Sequence, residues 1–190
     1  MKNLTEVVWH GRGGQGAVTA AKLLAEAAMR EGKNIQAFPE FGAERTGAPV
    51  RSFTRISDFP ITIHCSITAP DCIVVLDPTL LDAVDITEGM KPESIIVINT
   101  THSPKDIRSE LGLEGGRVFV VDATSISVGK LGRNIPNMPM VGAMIKATGI
   151  IKLENLIETF KDDFAKKFTP EVIKGNIEAI EQAHKEVHPV

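Results

Sequence analysis

The sequence of 190 residues has little cysteine, and this scarcity argues against two kinds of metal site. Its 2 cysteines, Cys65 and Cys72, do not form a C-x-x-C pair. An iron–sulfur cluster normally takes four thiolate ligands, so this chain alone cannot hold one. The same scarcity argues against a cysteine-rich zinc site. Both cysteines are interpreted as small apolar residues of a reduced protein, and no metal site is expected.

Long apolar runs and dense blocks of basic residues are also absent. No stretch approaches the roughly 20 apolar residues that a membrane span needs, and the first residues lack the apolar segment of a signal peptide. The formal net charge of −3 gives no electrostatic footprint for a nucleic acid. We therefore expect a cytoplasmic protein that has neither a membrane nor a nucleic acid among its partners.

Common catalytic motifs are missing as well. The sequence contains no Gly-x-Ser-x-Gly elbow and no Gly-x-x-x-x-Gly-Lys-Ser/Thr loop. Its 5 histidines show no spacing typical of metal ligands. No catalytic residue is assigned, because nothing in the sequence assembles a catalytic set that would be complete within this chain.

What the sequence does contain is a glycine-rich run between a predicted strand at residues 7–10 and a predicted helix at residues 17–30. The run reads Gly11-Arg12-Gly13-Gly14-Gln15-Gly16 and matches Gly-x-Gly-x-x-Gly. Glycine lets the backbone turn sharply, and the N-terminus of a helix attracts phosphate. Three interpretations stay open: the loop binds a dinucleotide, binds another phosphate-bearing group, or only allows the helix to pack closely on the strand.

A nicotinamide dinucleotide would require an acidic residue at the end of the second strand. That strand is predicted at residues 35–38 and ends at Pro39. The nearest acidic residue is Glu40, which lies later than expected and within a loop. Its position argues against a nicotinamide site.

The rest of the pattern predicts one α/β domain over residues 1–190. Continuous apolar strands alternate with helices, and the strands are expected at residues 72–76, 95–98 and 118–121. A helix is expected to begin at Asp77-Pro78, and a second one at Ser103-Pro104. Only helical patterns follow residue 139. This order is typical of a Rossmann-like domain with a mostly parallel sheet, helices on both faces and a helical C-terminus.

Residues 50–56 and 61–67 each alternate with period two, and a turn separates them. This pattern predicts a β-hairpin inserted into the domain.

The predicted helix at residues 17–30 has polar side chains on a single stripe, formed by Thr19, Lys22, Glu26 and Arg30. A surface helix is normally apolar on one stripe only. We therefore expect this helix to be covered on two sides, by the sheet and by either the chain's own C-terminal helices or another subunit.

Asp77, Asn99 and Asp122 each follow a predicted parallel strand, at the edge where open α/β sheets bind ligands. Asp and Asn also cap helices and turns. For Asp77 and Asp122 we consider the capping role the stronger interpretation.

The loop after the second strand contains Phe41, Gly42, Glu44, Arg45 and Thr46, and Arg51 follows shortly after it. Arginine in such a loop can bind phosphate or carboxylate through two parallel hydrogen bonds. Solvated ion pairs are the alternative.

Three segments together resemble the gamma subunit of pyruvate:ferredoxin oxidoreductase, within the 2-oxoacid:ferredoxin oxidoreductase family. They are residues 9–28 with the glycine run, residues 38–50 with Phe-Gly-Ala-Glu-Arg-Thr-Gly-Ala-Pro-Val, and residues 134–143 with Asn-Ile-Pro-Asn-Met-Pro. They occur in order and extend over most of the chain. The second segment is similar to the pyruvate and branched-chain 2-oxoacid members.

The resemblance implies a complex that decarboxylates a 2-oxoacid on thiamine diphosphate and magnesium, passes electrons through iron–sulfur clusters to ferredoxin, and transfers the acyl group to coenzyme A. It implies partner subunits of alpha, beta and delta type that hold these cofactors, and a non-catalytic role for this chain. The run Gly11–Gly16 is then a candidate contact for the coenzyme A phosphates, and Phe41, Gly42, Glu44, Arg45, Thr46 and Arg51 form an interface or ligand loop.

Several alternatives stay open beside this implication. The chain could serve a branched-chain 2-oxoacid enzyme, act as a free-standing Rossmann-type NAD(P) oxidoreductase, or be a structural or regulatory subunit whose glycine loop binds nothing. The nearly all-apolar helix and the loop at residues 38–50 could form a subunit interface. Self-association of the isolated chain is also left open.

Overall fold

The computed structural model describes residues 4–40 and 47–189. The elements in chain order are β1 (Leu4–Arg12), α1 (Ala17–Arg30), β2 (Asn34–Pro39), β3 (Pro49–Ser57), β4 (Cys72–Val75), β5 (Ile95–Asn99), α2 (Pro104–Glu110), β6 (Arg117–Val121), α3 (Ala123–Leu131), α4 (Asn137–Thr148), α5 (Leu153–Phe164), α6 (Pro170–Glu186) and β7 (His188–Pro189). A short 3₁₀ turn covers Pro78–Leu80.

The strands form one seven-stranded sheet in the order β2-β3-β1-β4-β5-β6-β7. β1, β4, β5 and β6 pair in parallel, whereas β3 runs antiparallel to both β1 and β2, and β7 runs antiparallel to β6. β2 therefore points the same way as β1, and only β3 and β7 of these strands are reversed. The predicted α/β domain with a mostly parallel sheet is confirmed.

Side chains alternate between the two faces of the parallel strands, and both faces are covered by other parts of the chain. On one face, Trp9, Val74 and Val97 belong to a large core that includes residues of α1, α3, α4, α5 and α6. On the other face, Ile73 and Ile96 pack with Ile107 of α2. The expectation of helices on both faces is therefore confirmed.

Helix α1 is covered on two sides, as its single polar stripe predicts. It packs against β2 and β3 of the sheet and against α4 and α5. Eight of its residues are buried, five of them alanine or leucine between Ala20 and Ala25. The second cover is thus the chain's own C-terminal helices, and no other subunit is needed to bury this face.

Helix α4 is the central helix of the domain, and ten of its twelve residues are buried. It lies against α6, and at Gly142 an added Cβ would overlap the carbonyl oxygen of Ile180. Glycine at this position therefore sets how closely the two helices pack. Despite this burial, no helix within residues 4–40 and 47–189 has both the length and the apolar character required to cross a membrane.

The predicted pairing of residues 50–56 with residues 61–67 is wrong. Residues 61–67 form no strand, and residues 62–66 are exposed. β3 instead pairs along its full length with β1 and over six residues with β2, so neither of its edges is free for another strand. The inserted antiparallel pair is β2 with β3.

The helix expected at Asp77-Pro78 is also shorter than predicted. Only the 3₁₀ turn Pro78–Leu80 forms, with Asp77 as its N-cap. Asp77 and proline give a start signal, but the following residues supply no stable helix. α2, by contrast, begins after Ser103 with a complete capping box that involves Asp106.

We expect Gly142→Ala to destabilise the protein and Gly129→Ala to leave it equally or more stable. The added methyl group at Gly142 meets backbone, and overpacking of this kind costs about 1–3 kcal/mol. Gly129 lies inside α3 with nothing near its Cβ position, so alanine there gains up to about 1 kcal/mol of helix propensity. Thermal unfolding of both variants tests the packing, and equal melting temperatures would contradict it.

Candidate functional site

The glycine run forms a tight connection between β1 and α1. Gly11 and Arg12 are the last residues of β1, and Gly16 is the N-cap of α1. Gly14 and Gly16 have φ angles of 96° and 79°, a region that L-residues with side chains rarely adopt. The predicted strand–turn–helix context of the run is therefore confirmed.

Backbone hydrogen bonds fix this loop to the two residues that precede β3. The Gly13 N–H donates to the Ala48 carbonyl at 2.9 Å, and the Gly47 N–H donates to the Gly13 carbonyl at 3.2 Å. The loop is thus held on one side by the sheet, in addition to its attachment to α1.

The side chain of Gln15 holds the turn from within. Its Oε1 accepts the Arg12 N–H at 2.8 Å, and its Nε2 donates to Asp77 Oδ2 at 2.6 Å. Gln15 therefore links the carboxyl ends of β1 and β4. In this structure it acts as a brace for the loop, with its amide engaged by the chain itself.

Arg12 lies in the crevice between the ends of β1 and β4, the usual ligand position in open α/β sheets. Its Nη2 donates to Thr79 Oγ1 at 2.7 Å, its Nη1 donates to the Gly47 carbonyl at 3.1 Å, and its Nε lies 3.5 Å from Asp77 Oδ2. Burial would raise the pKa of Asp77, but hydrogen bonds from Thr79 and Gln15 hold it below its ordinary value. The crevice is thus occupied by side chains of the protein.

The polar residues at the strand ends act as caps and braces. Asp77 caps the 3₁₀ turn through Thr79, and Asp122 caps α3 by accepting the Ser125 N–H at 2.8 Å. Asn99 donates to the Leu76 carbonyl at 2.8 Å and so connects neighbouring strand ends. The capping interpretation of Asp77 and Asp122 is confirmed.

An open cleft of about 440 Å³ lies beside the loop, and we call it the glycine cleft. Its lining includes Gly13, Gly14, Gly16, Val18 and Arg51. Helix α1 begins at this cleft with no side-chain cap and no acidic residue in its first turn. The N–H groups at the start of a helix lack partners within the helix, and with the helix dipole they favour an anion at this position.

Arg51 is held at the cleft by two carboxylates. Its Nε and Nη2 each donate to Glu40 at 2.7 Å, and its Nη1 donates to Glu88 at 3.0 Å. The hydrogen bonds from Arg51 lower the pKa of Glu40 below its ordinary value. Glu40 is therefore engaged by Arg51, and the structure gives no support to a role for it on a ribose hydroxyl.

The other residues of the predicted loop, Phe41, Gly42, Glu44, Arg45 and Thr46, lie outside the described residues. Of that set, Arg51 alone can be placed, on β3 at the edge of the glycine cleft.

A second cavity, which we call the aromatic pocket, lies on the other side of the first turn of α1. Its volume is about 280 Å³, and its lining includes Thr19, Arg133, Asn137, Phe168 and Asn176. Asn137 connects it with the glycine run, since its Nδ2 lies 3.4 Å from the Gly16 carbonyl oxygen. Sequence reasoning does not find this pocket, although the run Asn134–Ala143 and the stripe with Phe160 and Phe164 supply parts of its wall.

Metal binding has no visible basis in this region. Across the part of the chain that the structure describes, no three or more His, Cys, Asp and Glu side chains come together in a way that could hold a metal ion.

His10 lies on β1 opposite Arg51 of β3 and has an unusual environment for a histidine. It is 5% exposed and lines a cavity of about 70 Å³ together with Arg51, Thr68 and Glu88. Burial, and then the positive charge of Arg51, lower the pKa of His10 to about 4. The imidazole is therefore neutral at pH 7.

We expect His10 to make the protein less stable in mild acid. Its pKa of 6.5 in the unfolded chain falls to about 4 on folding, so between these values the unfolded state binds the proton more tightly. The free energy of unfolding should fall by about 2 kcal/mol between pH 7 and pH 5 on account of this residue. Urea unfolding of His10→Gln should lose that part of the pH dependence.

The exposed His64 provides the matched control, since His64→Gln should keep the acid sensitivity of the parent. An unchanged pH dependence in His10→Gln would show that a different group causes the acid loss.

Comparison with known proteins gives consistent matches over nearly the whole chain. Residues 6–186 match the family model of pyruvate ferredoxin/flavodoxin oxidoreductase. The chain is 49% identical over 179 residues to the pyruvate/ketoisovalerate oxidoreductases common subunit gamma of Pyrococcus furiosus, which covers 94% of this chain and 97% of that relative. It is 45% identical over 186 residues to pyruvate synthase subunit PorC of Thermotoga maritima, over 98% of this chain and 96% of that relative.

The fold also matches that of a solved structure over almost the whole chain. A crystal structure of pyruvate oxidoreductase subunit PorC from Thermotoga maritima has a TM-score of 0.87 and 43% identity, and the match covers 99% of both chains. The resemblance carried by the three sequence segments is therefore confirmed, and the chain belongs to the pyruvate ferredoxin/flavodoxin oxidoreductase family.

Proposed function

We propose that this chain is the gamma subunit of a multisubunit 2-oxoacid:ferredoxin oxidoreductase that acts on pyruvate. It supports the coenzyme A-dependent oxidative decarboxylation of pyruvate to acetyl-CoA, or the reverse, in the cytoplasm, with ferredoxin as electron partner. The observation that carries the proposal is full-length similarity: the match covers 97% of a relative named as a common gamma subunit and 99% of a PorC structure. Alpha, beta and delta subunits are the proposed partners.

Within this complex the chain is a non-catalytic component. Its 2 cysteines are too few for the four thiolates of an iron–sulfur cluster. Cys72 is buried in β4, and burial raises the pKa of its thiol, which disfavours the reactive thiolate. The sequence has no Gly-Asp-Gly run of the thiamine–magnesium motif. Thiamine diphosphate, magnesium and the clusters are accordingly assigned to other subunits.

A branched-chain 2-oxoacid is the second candidate substrate of the complex. The relative from Pyrococcus furiosus is named as a subunit common to pyruvate and ketoisovalerate oxidoreductases. A subunit shared by two such enzymes serves what their reactions have in common, which includes coenzyme A, whereas the 2-oxoacid side chain differs between them. The choice of substrate is therefore assigned to a different subunit.

The glycine cleft is the proposed contact for the coenzyme A phosphates. The first turn of α1 offers N–H groups without a side-chain cap. The positive φ angles of Gly14 and Gly16 let the loop before α1 turn sharply, so that it borders this first turn. Phosphate groups bind well at such helix N-termini. The loop with Phe41, Gly42, Glu44, Arg45 and Thr46 is proposed as the neighbouring interface or ligand segment.

Reconstitution tests the assignment to the complex. We expect this chain to copurify with the alpha-, beta- and delta-type subunits, and pyruvate-dependent ferredoxin reduction to be lost without it and restored by adding it back. The same assay with ketoisovalerate tests the second substrate. Size-exclusion chromatography of the chain by itself shows whether it self-associates. A chain that neither copurifies with these subunits nor affects ferredoxin reduction would refute the proposal.

Charge substitutions at Val18 test the coenzyme A contact. Val18 is 44% exposed, lines the glycine cleft and lies in the first turn of α1. Val18→Asp should raise the KM for coenzyme A about fivefold in the assembled enzyme. The new carboxylate repels the phosphate and offsets the attraction of the helix N-terminus, which is worth about 1 kcal/mol. Val18→Lys should lower the KM or leave it unchanged.

The two variants distinguish an effect on coenzyme A binding from an effect on helix stability, because Val18→Asp should weaken binding but stabilise α1, and Val18→Lys should weaken α1 but not binding. An acidic residue stabilises the first turn of a helix and a basic residue weakens it. Met29→Asp, at the exposed far end of α1, is the control for added charge. If Val18→Asp and Met29→Asp give the parental KM alike, coenzyme A does not bind at this cleft.

A further inference from the structure

The wall of the aromatic pocket is a row of three stacked phenylalanines. The ring centroids of Phe160 and Phe164 are 4.7 Å apart, and those of Phe164 and Phe168 are 5.2 Å apart with their planes within 3° of parallel. Phe160 is buried, whereas Phe168 is 40% exposed. The row therefore ends in an aromatic surface on which a further planar ring can stack.

Buried amides give this pocket hydrogen-bonding groups that an apolar occupant would leave unused. Asn176 is 7% exposed, and its Nδ2 donates to the Val172 carbonyl oxygen at 2.8 Å. Its Oδ1 accepts no hydrogen bond from residues 4–40 or 47–189. An amide oxygen of this kind suits the exocyclic amine of adenine, which is a donor.

The pocket is lined by charged side chains of both signs: Lys130, which is paired with Glu178, and Arg133 are the cations, and Glu171 is the carboxylate. Arg133 lines it and forms no ion pair within the described ranges. Lys167 adds a second cation, with its ammonium 5.2 Å from the centroid of the Phe164 ring. Apart from the Lys130–Glu178 pair, these two cations outnumber the single carboxylate of Glu171, so the aromatic surface favours an occupant that is both planar and anionic.

The aromatic pocket and the glycine cleft are lined by neighbouring residues at the start of α1. Val18 lines the cleft and the next residue, Thr19, lines the pocket. Gly16 lines the cleft, and Asn137, which contacts its carbonyl oxygen, lines the pocket. The start of α1 thus separates the two cavities, and a helix with its side chains is about 10 Å wide. A nucleotide, whose ribose joins the base to the phosphates, can reach across such a separation.

From this arrangement we propose that the aromatic pocket binds the adenine ring of the coenzyme A molecule whose phosphates lie in the glycine cleft. The inference rests on the coenzyme A contact proposed above. The ring stacks on Phe168, and its exocyclic amine donates to Asn176 Oδ1. Arg133 supplies positive charge for the phosphate on the ribose.

Two competitive inhibitors of the assembled oxidoreductase test this assignment. Adenosine 3′,5′-bisphosphate carries the base with phosphates, whereas 4′-phosphopantetheine carries phosphate without a base. Phe168→Ala should raise the inhibition constant of the first about tenfold, a factor within the range for loss of one base–aromatic stack. It should leave the constant of the second unchanged. Phe168→Trp keeps a stacking surface and should retain the parental values for both.

Phe59→Ala is the matched control, because Phe59 is an exposed phenylalanine in the turn after β3. An inhibition constant for adenosine 3′,5′-bisphosphate that is the same in Phe168→Ala and the parent would overturn the adenine site and leave the glycine cleft contact standing. Failure of Phe168→Ala to assemble, with Phe168→Trp also defective, would overturn it in favour of a pocket for a side chain of another subunit. The contact at the glycine cleft fails separately, if neither inhibitor competes with coenzyme A in the parent enzyme.

Discussion

The contact between Gly16 and Asn137 is the constraint on which the candidate site depends. A side chain at Gly16 would overlap the Asn137 amide, and the φ angle of 79° disfavours any residue with a Cβ. Asn137 begins α4, which is buried for most of its length and is packed against α6. Because α4 has no room to move away, the start of α1 is fixed between the sheet and this helix. The glycine cleft and the aromatic pocket are the two spaces that remain on either side.

The local elements are predictable because their signals lie in neighbouring residues. The bounds of α1 follow from the glycine run before it and the polar stripe along it, and the structure has the same bounds, Ala17–Arg30. α6 begins after Thr169, whose hydroxyl caps it, followed by proline. The continuous apolar segments of β4, β5 and β6 read as buried parallel strands for the reason that both of their faces are covered.

Relations between distant segments cannot be derived in the same way. Residues 61–67 alternate like a strand, yet the edges of β3 are already taken by β1 and β2, and alternation carries no information about which edges are free. The aromatic pocket draws Thr19, Asn137 and Phe168 from three separate parts of the chain, so no spacing within the sequence marks it. The burial of His10 depends likewise on the segments that cover β1, which its own neighbours do not specify.

The charges around the glycine cleft indicate what this chain supplies and what it does not. Arg12 is engaged by Thr79 and lies near Asp77, and Arg51 is engaged by Glu40. The attraction for an anion therefore comes mainly from the start of α1, which is equivalent to about half an elementary charge. A phosphate group carries more negative charge than this. In the proposed complex, the chain accordingly contributes the shape of the glycine cleft, while part of the positive charge comes from other residues that approach this cleft. Coenzyme A binding would then depend on assembly, because a cleft that offers less positive charge than its ligand carries negative charge holds that ligand firmly only when a second surface supplies the rest.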